Sequence, residues 1–561
     1  MKKLIIPFLC FALCLSFSAC GGSKPAPSDT AQTPVSAPVD AVQTAEPSPN
    51  LSAANENEAY ENRVNTHRTF IADKDDFKQH PHQLQQGTSL TVALTYINGA
   101  LTPWVAQDFL LNNVYEGLLY AHMNSADDIR GALAESWYCS EDGLNWYFKI
   151  RDNVKYSDGT ACNAEAICGY FDFCHSENLV KFGRYGISSW SSLSGNELQI
   201  TLEQPTPDFE FTLCEELCIG SAAAFMQFGY ESYKATVATG PYIISDYDLE
   251  SGAVLIANPH YYLPEKQPSI ETINIIFTWG YTDTEASLLQ ESTADIVHFF
   301  DVTTLAANVQ TQYEVFLYPT IPYTIYLNSN VVPEFSIKEV RMAMCRFVDF
   351  EVINDEVFGG MGTVQNSIWA EGASCYVKTD NFYCDTDEGL SLLADAGLSP
   401  ADIEFEFHYA LNSTDIFYAL EKQLNEVGVN ATYAPRDGTR EPYRLSEQPI
   451  LISTFFDALS PIKTFNESFG HNSLSFHPFS VDQVKFYGEE LYEKIYTEYE
   501  TLKTLSDWDE QLASLRKITS YIQDEYICIG GIAPPRYLLI KPEFKNPVLF
   551  DGAIQLYYIY K

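Results

Sequence analysis

Basic residues are scarce in this chain. Lys and Arg number 33 against 75 Asp and Glu, a formal net charge of −42 at pH 7 with a pI near 4.4. A surface this acidic repels phosphate backbones, which excludes a nucleic-acid partner. The excess is a solubility device and by itself selects no binding site. Complete catalytic signatures are missing too. None of the 10 His begins a His-Glu-x-x-His helix, and no Gly-x-Ser-x-Gly elbow or Walker loop is present. Gly360-Met361-Gly362 stops short of the last glycine of a dinucleotide fingerprint. Acidic pairs abound, yet no local pattern selects one as a glycosidase pair. No catalytic residue, cofactor or metal site is therefore assigned. No internal repeat is detectable.

What is present is a chain of 561 residues with 46% apolar and 14% aromatic residues, enough for two or three domains. Lys2 and Lys3 precede an apolar run from Leu4 to Leu15, too short to cross a bilayer of roughly 30 Å but suited to a secretory signal. Small residues before Cys20, then Gly21-Gly22-Ser23, resemble a bacterial lipobox. That resemblance implies removal of residues 1–19, lipid on Cys20, and an extracytoplasmic protein anchored to the outer face of the bacterial cell membrane. Ser23 to about Glu58 is a Pro, Ala, Ser, Thr and Gln tether, and residues 62–86 are mostly polar. His80-Pro81-His82 lacks further ligands nearby and reads as solvated linker. Ten cysteines remain in the mature chain, and their pairing is not legible. Cys214 and Cys218 are spaced for one helix face, and without a second pair they read as buried thiols.

Structure is expected from the alternating run Ser89–Leu94 onward, with strands and helices mixed thereafter. Asn163 is placed to cap a helix burying Ile167, Tyr170, Phe171 and Cys174. Ser336 and Glu339 are spaced as a capping box before Val340, Met344 and Phe347. Ser506 leads a helix with Trp508, Leu512, Leu515, Ile518 and Ile522 on one stripe. The fold class is α/β or α+β.

Three stretches carry a family resemblance. The first is Asn112-Asn113-Val114-Tyr115-Glu116-Gly117-Leu118, followed by Leu133–Trp137, the run Ser140–Arg151, and Val154 to Glu165. Asp142-Gly143 and Ser157-Asp158-Gly159 within it read as tight turns, with Trp146 and Phe148 filling a small β core. The second is Thr239-Gly240-Pro241-Tyr242 with Asn258-Pro259-His260-Tyr261-Tyr262, then Ala294-Asp295-Ile296. The third is Tyr326-Leu327-Asn328, Phe335, Val340-Arg341-Met342-Ala343 and Val348-Asp349. Together they resemble the oligopeptide/dipeptide/nickel family of extracytoplasmic solute-binding proteins.

The resemblance implies a two-lobed periplasmic-binding-protein-like fold of the class II type, with an extra β-rich subdomain in the first lobe. The first lobe would comprise 86–125, 236–328 and 527–561, the subdomain 126–235, and the second lobe 329–526. Residues 20–85 form the lipidated Cys and linker. It further implies a monomer that closes on a peptide or other small solute and delivers it to ABC transporter permease subunits. Phe455-Phe456-Asp457 and Pro461 resemble a segment whose Asp pairs with a peptide's α-ammonium in peptide-binding members. Asp457, Phe456 and Phe455 are thus ligand-binding candidates, with Trp104 and Asn98 from the first lobe. Thr454 and Leu451 stand where such members often carry Trp and Arg. A lipoprotein that senses a ligand for a partner receptor, and a secreted hydrolase, are the alternatives from other classes.

Overall fold

The computed structural model describes residues 83–561 apart from 95–100, 105–109, 122–128, 207–208, 216, 279–286, 289–290, 300–311, 320–322, 370–374, 409–413, 435–447, 454–483, 503, 506 and 551–552. The expected strand runs over Gln85–Leu94 and is buried on both faces from Val92 to Leu94. That burial reflects its central place in a seven-stranded sheet. The strand order is Glu314–Pro319, Pro535–Ile540, Ile296–Phe299, Gln85–Leu94, Ile270–Phe277, Gly252–Ala257 and Tyr242–Asp248. Gln85–Leu94 is parallel to both neighbours, and the outer pairings are antiparallel. Leu90, Val92, Leu94, Ile273 and Ile275 pack one face against Tyr557, Tyr558 and Ile559. Ala93, Val297, Tyr313, Tyr537 and Leu539 form a smaller core.

Between Tyr120 and Thr239 the chain builds a separate antiparallel sheet, Ala134–Cys139, Asn145–Ile150, Glu197–Leu202 and Ile187–Leu193 in that spatial order. The Asp142-Gly143 turn forms as expected. Asp142 Oδ1 accepts from Ser140 Oγ at 2.6 Å and Leu144 N–H at 3.0 Å, and Gly143 takes φ 73°. Phe148 is fully buried and stacks with Trp146. Asn163 caps helix Ala164–Ser176 by accepting from Ala166 N–H at 2.9 Å. That helix buries Ile167, Tyr170, Phe171 and Cys174 against the sheet, each worth about 1.5–3 kcal/mol for the aliphatic and aromatic side chains.

The second lobe has a four-stranded sheet in the order Thr363–Gln365, Cys528–Ala533, Tyr323–Leu327 and Ile450–Ser453. Tyr323–Leu327 and Cys528–Ala533 pair with each other in this sheet. The chain therefore leaves the first sheet after Pro319 and returns to it at Pro535, which pair with each other. One core lies under helices Lys338–Arg346, Phe350–Phe358 and Thr414–Glu426. Another lies under Glu489–Leu502 and Trp508–Asp524. The stripe Leu512, Leu515, Ile518 and Ile522 is buried as its spacing predicts.

Three local expectations need correction. Ser336 and Glu339 make no capping box. Pro333 starts a 3-10 turn over Pro333–Ser336, and Ser336 Oγ donates back to the Pro333 carbonyl at 2.6 Å, so the helix begins at Lys338. Ser506 lies outside the described residues, and the N-cap of the last helix is Asp507, which accepts from Glu510 N–H at 3.0 Å. Cys214 and Cys218 share no helix face, because the helix Phe209–Glu215 ends before Cys218. Of the ten described cysteines, Cys384 is exposed and six are buried. Burial pushes the Cys162, Cys174 and Cys345 thiols up to about 12.

Candidate functional site

The central strand of the first sheet marks a reversal of strand order. Ile270–Phe277 lies on one side of Gln85–Leu94 and the next strand in the chain, Ile296–Phe299, on the other. In open α/β sheets ligands bind outside the carboxyl ends of the parallel strands at such a reversal. Leu94 pairs with Phe277, and Ala93 with Val297, so the three strands end nearly level. Phe299 lies opposite Tyr537, two residues from Pro535, so this end of the sheet is also where the chain crosses to the second lobe. Beyond Leu94 the described chain resumes at Leu101-Thr102-Pro103-Trp104.

The signature segments converge beneath that loop. The Tyr115 hydroxyl donates to the Leu101 carbonyl at 3.1 Å, holding the loop's exit. Gly240 N–H donates to the Val114 carbonyl at 2.9 Å, and a Cβ at Gly240 would come within 2.3 Å of that oxygen. Only glycine allows so close a backbone approach. Asn258 Nδ2 donates to the Gly240 carbonyl at 2.8 Å, and Ser157 N–H to the Ala238 carbonyl at 2.8 Å. Stretches more than a hundred residues apart thus form one hydrogen-bonded junction.

Glu116 anchors the junction from inside. Its carboxylate accepts from Tyr261 OH at 2.8 Å, Tyr262 OH at 3.0 Å and Lys266 Nζ at 3.1 Å, with Glu116 and Lys266 each 5% exposed. The Lys266 ammonium also sits 4.7 Å from the Tyr120 ring centroid and 4.8 Å from that of Tyr557. Burial works to lower the Lys266 pKa, but Glu116 and the hydroxyls of Tyr558 and Tyr120 outweigh it, leaving the ammonium above its ordinary range. These groups are satisfied by one another, so the network is structural and leaves no charge for a ligand.

In the second lobe, Asn328 holds the strand that leads to the other candidates. Its Nδ2 donates to the Gln448 carbonyl at 2.7 Å, and its N–H to the Pro449 carbonyl at 2.8 Å. Ile450–Ser453 follows directly and ends with Ser453 opposite Thr324. Thr324 is the second residue after the crossing, so this strand also ends on the side facing the first lobe. Arg341 stiffens the same lobe, donating to the Phe335 and Ser336 carbonyls at 3.0 Å and to the Glu525 carbonyl at 2.7 Å.

Of the sequence-derived candidates, Asp457, Phe456, Phe455, Asn98 and the lipidation candidate Cys20 lie outside the described residues. Trp104 is half-buried, its ring 5.2 Å from Phe225 and 6.1 Å from Tyr230, so much of its surface packs on the β-rich subdomain. Sequence reasoning passed over Thr102 and Thr324. Each is almost fully buried, and neither Oγ1 has a hydrogen-bond partner among the described residues. No group of His, Cys, Asp or Glu suited to a metal ion occurs among the described residues. Nor is any described helix long and apolar enough to cross a membrane.

A model of the bacterial extracellular solute-binding proteins, family 5 middle, matches residues 128–473, more than half of the chain. The chain belongs to this family. Among curated relatives, the probable D,D-dipeptide-binding periplasmic protein DdpA of Escherichia coli (strain K12) is 25% identical over 336 residues, 55% of this chain and 63% of that protein. The chain thus spans just under two thirds of that relative's length. The glutathione-binding protein GsiB of the same strain is 24% identical over 365 residues, 63% of this chain and 68% of its own length. Among solved structures, NikA from Brucella suis in complex with Fe(III)-EDTA superposes with a TM-score of 0.72 at 18% identity, over 84% of this chain and 99% of that one. The two-lobed binding-protein fold with its β-rich subdomain is therefore the fold of this family 5 chain, and the relatives carry names of binders, not of enzymes.

Proposed function

We propose that this family 5 protein captures a small solute between its lobes, with a peptide as the expected class, and hands it to the permease of an ABC transporter. One observation carries the reading: strand Gln85–Leu94 of the first lobe and strand Ile450–Ser453 of the second both end at the edge where the chain crosses between lobes. Tyr115 holds the chain at Leu101, beyond the first of these strands, and Asn328 holds it at Gln448, just before the second. Relatives named for a D,D-dipeptide and for glutathione support a peptide-like ligand. In this reading Asp457 pairs with the ligand ammonium between Phe455 and Phe456, while Trp104 and Asn98 contribute from the first lobe. A carboxylate enclosed away from water favours a cation far more than an exposed one does.

We divide the lobes at the crossings, between Pro319 and Tyr323 and at Pro534, with the subdomain at 126–235. Cys20 carries the lipid that keeps the protein, as a monomer, on the outer face of the cell membrane. Mass spectrometry of small molecules released on denaturing protein purified from its host tests the ligand class, followed by calorimetry with those molecules, a D,D-dipeptide, glutathione and Fe(III)-EDTA. A bound peptide at a hundred times its dissociation constant should add about 2.7 kcal/mol of stability. Release of no peptide, and no heat with any peptide tested, would overturn the peptide assignment.

A further inference from the structure

Two aromatic rings meet across the lobes, away from the crossings in the chain. Phe211 lies on helix Phe209–Glu215, whose Phe209 and Leu213 belong to the core of the β-rich subdomain. Trp508 is the first residue of helix Trp508–Asp524, which packs into the second lobe through Leu512, Leu515 and Ile518. Their ring centroids are 4.9 Å apart at an interplanar angle of 46°. Phe211 is 7% exposed, so the contact shields it although it faces the other lobe. The Trp508 backbone is held by a helix that begins at the Asp507 cap.

A different contact between lobes joins Tyr537 OH to Met361 Sδ at 2.9 Å. Tyr537 is two residues beyond Pro535, beside the crossing, where hinge motion displaces side chains least. The aromatic pair instead joins elements that do not adjoin the crossings, so opening about the hinge is expected to separate it.

We infer that Phe211 and Trp508 form a latch that stabilises the closed arrangement and thereby sets how much of the free protein is already closed. This rests on the solute-binding reading for its purpose, though not for its test. A ligand that binds the closed form gains apparent affinity in proportion to that closed fraction. Trp508 is a positioning residue in this scheme, since it acts through lobe closure and touches no ligand. An aromatic pair in this geometry, once lost, should lower the ratio of closed to open protein by about two- to twelve-fold.

Small-angle scattering of the ligand-free full-length protein reads that ratio directly. Phe211→Ala and Trp508→Ala should each raise the radius of gyration. The double variant should rise no further than the larger single change, because one contact is lost in all three. Trp508→Phe keeps a ring and should stay near wild type. Phe211→Leu keeps an apolar side chain on that helix and should open the protein with an unchanged circular dichroism spectrum. Radii equal to wild type in both Trp508→Ala and Phe211→Leu would overturn the latch, as would fully additive effects in the double variant. Neither result depends on a ligand, so failure here is distinct from failure of the solute-binding reading.

Discussion

Replacing Lys266 by Met probes the buried charge beneath the site loop. The change removes the ammonium 3.1 Å from Glu116 and leaves a carboxylate that is 5% exposed without its counter-charge. Breaking one side of a buried pair typically costs about 3–5 kcal/mol. Here Tyr261 and Tyr262 still donate to Glu116, which softens the loss, while the two cation–π contacts to Tyr120 and Tyr557 disappear and add to it. The expected loss is therefore about 3–4 kcal/mol. Lys266→Met with Glu116→Gln leaves no orphaned charge and should cost less than the single change, about 1–2 kcal/mol. Urea unfolding measures the totals, and hydrogen exchange at Leu556, whose N–H donates to Asn113 Oδ1 at 2.8 Å, reports the same region locally. The folded pKa of Lys266 lies above its unfolded value of about 10.4, so the pair's contribution is complete below that pH. It is lost only as pH climbs through the folded value. The gap between wild type and variant should therefore stay constant from about pH 7 to 9 and narrow in stronger alkali. A single variant within about 1 kcal/mol of wild type, or a double variant less stable than the single, would refute the reasoning.

Asp457→Asn keeps the side-chain shape and removes the charge, and should weaken binding of the native ligand by about thirty-fold or more. Calorimetry decides it, and a loss within about threefold, under roughly 0.7 kcal/mol, would make Asp457 structural. Cys20→Ala should release the protein into the medium or leave its signal uncleaved. Full processing with unchanged membrane retention would rule out the lipid anchor. Tyr115→Phe deletes the hydrogen bond to the Leu101 carbonyl and should cost about 1–3 kcal/mol, read by thermal unfolding. No measurable change would mean that the loop exit is held by packing alone.

Much of the fold was legible because its signals are local. The Asn163 cap needs only three residues of context, and the stripe from Leu512 to Ile522 only three turns. The Ser336 expectation failed for an equally local reason, since Pro333 commits the chain to a 3-10 turn that takes the Ser336 hydroxyl for itself. Which sheet each strand near the crossings joins was not legible, because it depends on partners such as Thr324 and Ser453, more than a hundred residues apart. The site shows the same division. The signature residues were visible, yet their joint task became visible only once Gly240 lay on Val114 and Asn328 on Gln448. Trp104 was found by its place in a loop, while the neighbours that cover its ring, Phe225 and Tyr230, come from a helix and turn some 120 residues onward. Thr102 and Thr324 had no sequence signal at all, since an open hydroxyl is defined by what surrounds it.

The first lobe's sheet contains, between Ile296–Phe299 and Glu314–Pro319, a strand made of Pro535–Ile540. That strand is interior, so the sheet stays split until the ribosome has produced nearly the whole polypeptide. Asn113 must likewise wait 443 residues for Leu556. Closing loops of this length is slow, and long-range strand pairing dominates the folding time. The sheet of the second lobe is also joined by a late interior strand, Cys528–Ala533, so neither large sheet is complete until the end of synthesis is near. A chain leaving the ribosome amino end first thus completes the local sheet within residues 134–202 early and both larger sheets only late.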